Sequence, residues 1–380
     1  METTLRASFV FGLLLCPPAM PVAGQDDAGP RARLKALEAE RLFALSPAPA
    51  PTAPAKTVVV NCAKGGRIST ALANNDGPLV IEVRGICPEN LRIERNDLTL
   101  RGRDPARDGV QGVAADPQPS ALEFYHANRI SLENISVSDG PGRGIGAWYS
   151  DLTMTNCRVE RNGSTGVHVS AASGLTGSGL VVSHNHGSGI LSQRQALTQC
   201  LDSRLDGNTG FAGYAAWNGV LILGAQISGE KGILACCGAY VEVYCEDGAS
   251  ESLCGLDATD TAVSVGDRGG TANLYGVGPF SGRVMAWSGG SVGIWGGRQS
   301  LPVGVSNVLS DSARLSTGAW EGGPPTSLAE TNLNLFSRAG LLDGTVLQGT
   351  LRCHSGSDAW SDTPYPAGKA IDCAHVPPTR

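Results

Sequence analysis

The sequence predicts an all-β solenoid, a parallel β-helix of about nine to ten coils with a short N-terminal capping helix. Three observations point there. First, Ile130, Leu152, Leu175, Leu197, Val220, Val241 and Val263 recur every 21 to 23 residues, the mark of a stacked repeat. Second, glycine opens many units: Gly144-Ile145, Gly166-Val167, Gly189-Ile190, Gly232-Ile233 and Gly255-Leu256. Third, 51 of 380 residues are glycine, while aromatics make up only 5%. That composition suits short strands joined by tight turns. A unit this short buries its apolar face only against its neighbours.

Taken in order, residues 1–24 read as a signal peptide. Arg6 precedes the apolar run Phe9 to Leu15, and Val22-Ala23-Gly24 supplies small residues for cleavage. The run is too short to span a bilayer, so no integral membrane segment is expected. Leu15 stands before Cys16 where lipid attachment would want a small residue. Residues 25–56 hold a helical pattern (Leu34, Leu37, Leu42, Leu45) and then a Pro/Ala linker. The β-helix is expected over 57–323, beginning at Thr57-Val58-Val59-Val60 with a capping helix within Arg67 to Asn74. A polar stretch from Arg103 to Pro119 reads as an excursion, and 324–380 as a C-terminal capping segment with a helical candidate at Ser327 to Ser337.

A net charge of −6 and the lack of any dense Lys/Arg run argue against nucleic acid as a partner. Ten cysteines besides Cys16 in a chain read as secreted or periplasmic suggest disulfides. Cys62 and Cys87 lie about one coil apart. Cys245 with Cys254, and Cys353 with Cys373, are candidate local staples. The pairing of Cys157, Cys200, Cys236 and Cys237 stays open.

From Val58 to about Cys373 the chain resembles the bacterial exported right-handed parallel β-helix proteins of the pectate-lyase-like superfamily. The residues that carry the likeness are Val60-Asn61-Cys62, the Ser69-Thr70-Ala71-Leu72 helix, Val83-Arg84-Gly85-Ile86-Cys87, the Gly-Ile coils, and the stretch from Cys353 through Gly356-Ser357-Asp358-Ala359-Trp360. The resemblance implies a right-handed solenoid and polysaccharide as the partner class. Its reactions range over lyases, hydrolases and epimerases, so fold does not select one. The Asp-Asp, Gly-His-Gly and Asp-Pro-His-Asp blocks of such enzymes do not stand in the coils. Calcium is expected only if the chain is a lyase.

Coil register supplies two candidate sites. Asp139, Arg161, His184 and Asp206 fall at or near one column, with Glu160 and Ser183 in the next. An acid, a base and an imidazole so placed could serve a polysaccharide lyase or glycoside hydrolase, or simply form a solvated charge ladder. Tyr149 and Trp217 fall at equivalent places on another column, with Arg194 between them and Trp148 adjacent, where flat rings and a guanidinium could stack against sugars. His184 and His186 make only half a zinc site, and no metal is expected. Asn134 and Asn156 read as an internal asparagine stack. The leading function is carbohydrate binding along a lateral face.

Overall fold

The computed structural model describes residues 54–114, 119–245, 255–277, 280–297, 307–318, 326–328, 331–333, 338–341, 345–347, 350–353, 357–361 and 371–372. The expected signal peptide, the expected helical pattern of 31–45, Cys254 and Cys373 lie outside these described residues.

Every pairing in the main sheet is parallel, and each strand bonds to the one a coil before and a coil after. The strands make three faces. Face A contains Leu79–Arg84, Leu98–Arg101, Ile130–Glu133, Asp151–Thr155 and Gly174–Ser178. Face B contains Ile86–Pro88, Gly109–Gln111, Ser136–Ser138, Arg158–Glu160 and Val181–Ser183. Face C contains Leu91–Ile93, Ser120–Tyr125, Arg143–Trp148, Val167–Ser170 and Ile190–Gln193. Nine consecutive turns from Leu79 to Ala286 carry strand on all three faces.

Side chains alternate in and out along each strand, so one inward position per face builds a continuous apolar column. On face B it runs Val110, Val137, Val159, Val182, Leu205, Ile227 and Leu256, all buried. On face A it runs Leu98, Ile130, Leu152, Leu175, Thr198, Leu221, Val241 and Ala272. Three of the sequence anchors therefore sit elsewhere. Leu197 and Val220 fall one place early and face outward, because Thr198 takes the inward position. Val263 lies in the inward column of face C, below Ile233. The β-branched Thr198 fits the pleat as valine would, which hides the shift from a count of apolar residues.

The short helix Ile68–Ala73 covers the start of the stack and buries Ile68 and Ala71. Its first amides are capped from the next coil: Glu89 accepts from the Ile68 N–H at 2.6 Å and the Ser69 N–H at 3.2 Å. The disulfide Cys62–Cys87 joins the first two coils, with Cα atoms 5.1 Å apart. Loop-closure entropy over a separation of 25 residues makes this bond worth about 3.5 kcal/mol. Replacing both cysteines by alanine is expected to lower the urea midpoint accordingly, and an unchanged midpoint would show that the bond does not constrain the unfolded chain. Cys245 and Cys353 are also disulfide-bonded.

Several expectations are corrected here. Residues Gly109–Gln111, inside the supposed excursion of 103–119, are a regular strand of face B paired with Ser136–Ser138. Asp108 organises the approach to it, accepting from the amides of Gly85 at 2.7 Å and Arg103 at 2.8 Å. The helical candidate at 327–337 contains strands Thr326–Leu328 and Thr331–Leu333, since stacking on the previous coil overrides local propensity. Cys157, Cys200, Cys236 and Cys237 are free thiols rather than half-cystines. Cys157 and Cys200 are buried, and burial pushes their thiols up to about 11 and about 12.

Asn134 and Asn156 do pair, Asn156 Nδ2 donating to Asn134 Oδ1 at 3.4 Å, but through an exposed contact rather than an internal one. Asn134 and Asn156 occupy left-handed turn positions (φ 51° in both), and Asn156 is exposed. The buried ladder is Asn162, Asn185 and Asn208. Asn162 Nδ2 donates to Asn185 Oδ1 at 2.9 Å, and Asn185 Nδ2 donates to Asn208 Oδ1 at 2.9 Å. Each Oδ1 also accepts the backbone amide of the residue a coil earlier. The unit-opening glycines make room for it: a Cβ on Gly166 would stand 2.7 Å from Asn185 Nδ2, and one on Gly144 2.5 Å from Asn162 Nδ2.

Candidate functional site

Two turn columns flank face C. Where face B passes into face C, Asp139, Arg161, His184 and Gly207 occupy equivalent left-handed positions, with φ between 54° and 59°. Their amides donate to the carbonyls of Glu160, Ser183, Asp206 and Ser228 in turn. Asp206 itself is therefore one place away from this column. It pairs with Ser183 in the strand column that includes Glu160. A Cβ on Gly207 would lie 3.2 Å from the His184 ring, which shows which residue takes the next place.

The acids of this corner are engaged with neighbours. Asp139 accepts from Arg161 Nε at 3.2 Å, Gln111 Nε2 at 3.1 Å and Ser138 Oγ at 3.0 Å. Glu160 bonds Arg161 and lies 3.7 Å from Arg158. The hydrogen bond to Glu160, aided by Asp139, holds the Arg161 guanidinium even more firmly protonated than usual. Asp206 accepts from Arg204 and Ser228, both at 2.8 Å. His184 and His186 are exposed. No group of three His, Cys, Asp or Glu that could hold a metal ion occurs among the described residues. At this corner Asp139, Glu160 and Asp206 each have an arginine beside them.

Where face C passes into face A, Tyr149, Ala171, Arg194 and Trp217 occupy successive left-handed positions. Tyr149 and Trp217 are 50% and 45% exposed, high for side chains of their size. The Arg194 guanidinium lies over the Trp217 ring at 5.6 Å. One coil earlier in the same column, His126 stacks on Tyr149 with centroids 4.9 Å apart and 7° between planes.

Trp148 lies on the outer surface of face C beside this corner. Its ring folds flat over Gly146, where a Cβ would meet it at 2.2 Å. Arg143 covers the same ring at 5.3 Å. The edge of the ring meets His168 at 5.6 Å. His168 is only 5% exposed and its Nε2 lies 2.6 Å from Gln193 Nε2, while its Nδ1 finds no protein partner. Burial, with the charges of Arg143 and Arg194 adding to it, lowers the imidazole to about 4.

This depression links stability to pH. The imidazole is neutral in the fold, whereas the unfolded chain takes up a proton below about 6.5. The stabilisation is complete above that pH and is lost as pH falls towards 4, by about 3 kcal/mol. Urea unfolding at pH 7 and pH 4 should therefore show a smaller acid loss for His168→Gln than for wild type. Equal losses would mean that the imidazole titrates normally in the fold.

Arg143, His168, Gln193 and His126 were not picked out from the sequence. The Gly146-Ala147-Trp148 spacing recurs at Gly293-Ile294-Trp295, where a Cβ on Gly293 would meet the Trp295 ring at 2.0 Å. A further polar and aromatic cluster on face A was also missed. Asn273 Nδ2 donates to Tyr240 Oη at 3.1 Å, Tyr240 donates to Glu242, and Tyr275 stacks on Trp295 at 4.8 Å. Within it Glu242 is 3% exposed, while Tyr240 and Trp295 are partly exposed.

With this geometry established, comparison with known proteins places the fold. A family model described as the right handed beta helix region matches residues 59–239. Over these residues the chain shares the right-handed parallel β-helix fold of that model. No curated protein matches the chain. Among solved structures, Geobacillus virus E2 ORF18 is similar at 10% identity and a TM-score of 0.41, covering 82% of this chain. The β-helix chain spans 64% of that viral protein, less than two thirds of its length. The A-module of the Azotobacter vinelandii mannuronan C-5 epimerase AlgE4 is 12% identical, with a TM-score of 0.32 and coverage of 77% of this chain and 85% of that one. The corresponding AlgE6 module is 11% identical, with a TM-score of 0.25 and coverage of 78% and 93%. At these values the structural likenesses carry no argument about chemistry. No described helix of the β-helix protein is long and apolar enough to cross a membrane.

Proposed function

We propose that this β-helix protein is exported and binds a polysaccharide along the outer surface and face-A edge of face C. The observation that carries the reading is the exposed Arg194–Trp217 pair, three rungs along the same column from exposed Tyr149. At a rung spacing near 4.8 Å the two rings stand on the order of 14 Å apart, a span that suits an extended chain rather than a single sugar. The rings offer flat apolar surface to sugar C–H faces, and arginine supplies directional donors to hydroxyl or carboxylate oxygens.

The second reading, a lyase or hydrolase of acidic polysaccharide working through Asp139, Arg161, His184 and Asp206, places its chemistry at the opposite edge of face C. The ion pairs there favour the ladder as a structural element, and the binding reading takes precedence. The test is equilibrium binding of the folded protein to pectate, alginate and neutral glycans, followed through tryptophan fluorescence. Saturable quenching by at least one glycan supports the proposal, and no response across the panel contradicts it. Appearance of an unsaturated sugar product would favour the second reading.

A further inference from the structure

We propose that Cys236 and Cys237 form a reversible vicinal dithiol/disulfide pair, a redox-sensitive modification site beside Trp217. The chain already holds the Cys62–Cys87 bond and half-cystines at Cys245 and Cys353, so free thiols in it call for a reason. Cys157 and Cys200 have one: both fill buried positions and behave as small apolar side chains. Cys236 and Cys237 differ because they are adjacent.

Neighbours along a strand normally point to opposite faces. Here the strand ends at Cys236, which pairs with Gly266 on the outer surface of face C. Cys237 then enters the left-handed conformation with φ 57°. That turn breaks the strand alternation that would otherwise send the second side chain to the opposite face. Cys236 Sγ also lies 3.5 Å from Tyr214 Oη. Cys236 is 5% exposed, whereas Cys237 is half-buried and reachable from solvent.

This asymmetry sets the order of events with a low-molecular-weight disulfide as oxidant. The Cys237 thiolate attacks one sulfur of the reagent, forming a mixed disulfide and expelling one small thiolate. The Cys236 thiolate then attacks the Cys237 sulfur, closes the ring and expels the second thiolate. Two electrons pass to the reagent, and the two protons lost by the cysteines go to the departing thiolates. Cys237 lies one rung from Trp217 in the corner column, and its carbonyl accepts the Asn218 N–H at 3.2 Å. Oxidation therefore alters the surroundings of Trp217.

The test treats the folded full chain with oxidised glutathione and then counts thiols after denaturation. The expected result is two fewer titratable thiols than in untreated protein, no retained glutathione mass, and a change in emission that Trp217→Phe abolishes. Cys157→Ser should lose the same two thiols. Cys236→Ser should instead retain one glutathione at Cys237, which shows that the exposed thiol reacts even where ring closure is blocked. An unchanged thiol count, a persistent glutathione adduct on wild type, or a two-thiol loss that survives Cys237→Ser would each overturn the proposal. None of these readings depends on glycan binding.

Discussion

Asn185→Ala destabilises the β-helix by about 4 kcal/mol and loosens the turns on either side of it. The Asn185 side chain accepts from the Asn162 amide at 3.1 Å and from Asn162 Nδ2 at 2.9 Å, and it donates to Val159 O at 3.1 Å and Asn208 Oδ1 at 2.9 Å. Its removal leaves two donors without partners and takes one donor from the Val159 carbonyl in a fully buried turn, and each unpaired group costs about 1–3 kcal/mol. Leucine would not rescue the loss, because a side chain without polar atoms satisfies none of the three. Urea unfolding gives the magnitude, and amide exchange gives the location: the Asn162 N–H should exchange much faster in the variant. A loss below about 1 kcal/mol would mean that water or a backbone shift replaces the ladder.

The second large effect concerns binding. Tyr149→Ala combined with Trp217→Ala should weaken glycan binding on the order of fiftyfold, as expected when two aromatic anchors are removed from one surface. Both rings are about half exposed and neither fills the interior, so unfolding midpoints should stay close to wild type. That separation matters: weaker binding with unchanged stability assigns the rings to recognition. Binding that survives the double substitution moves the site off this corner.

The fold was legible because stacking makes the period itself the signal. A coil of 22 or 23 residues returns the chain to the same face, and apolar residues at that spacing cannot be buried in any other way. Where the period drifts, counting fails locally. Thr198 replaces an aliphatic anchor, and the register slips by one at Leu197 and Val220. Beyond Tyr240 the coils lengthen, so Val263 falls on a different face from Val241. The buried asparagines escaped notice because Asn134 and Asn156 stand in the better-aligned strand blocks. The pattern to seek was an asparagine four residues before the unit-opening glycine: Asn162 before Gly166, and Asn185 before Gly189.

The two corner columns could be read by counting, since turn residues repeat with the coils. What counting could not supply was the contents of the face between them. Arg143 and His168 sit on strands, where a residue's meaning depends on which way it points and what lies beside it. The Arg143–Trp148–His168 arrangement exists only because glycine at position 146 lets the indole lie flat. Ion pairing at the other corner was equally invisible: Arg161 and Asp139 are neighbours in the column, but sequence does not say that Gln111 and Ser138 complete the shell.

The most direct measurement on the central claim, that stacked coils build one extended glycan surface, is affinity as a function of oligosaccharide length for whichever glycan binds. If Tyr149 and Trp217 touch one bound chain, the dissociation constant should fall steeply as the oligosaccharide grows to cover three rungs, then level off. In Trp217→Ala the gain from lengthening should vanish while the shortest members bind as before. A constant that is already at its limit for the disaccharide, with no dependence on Trp217, would place recognition within a single coil and contradict the account.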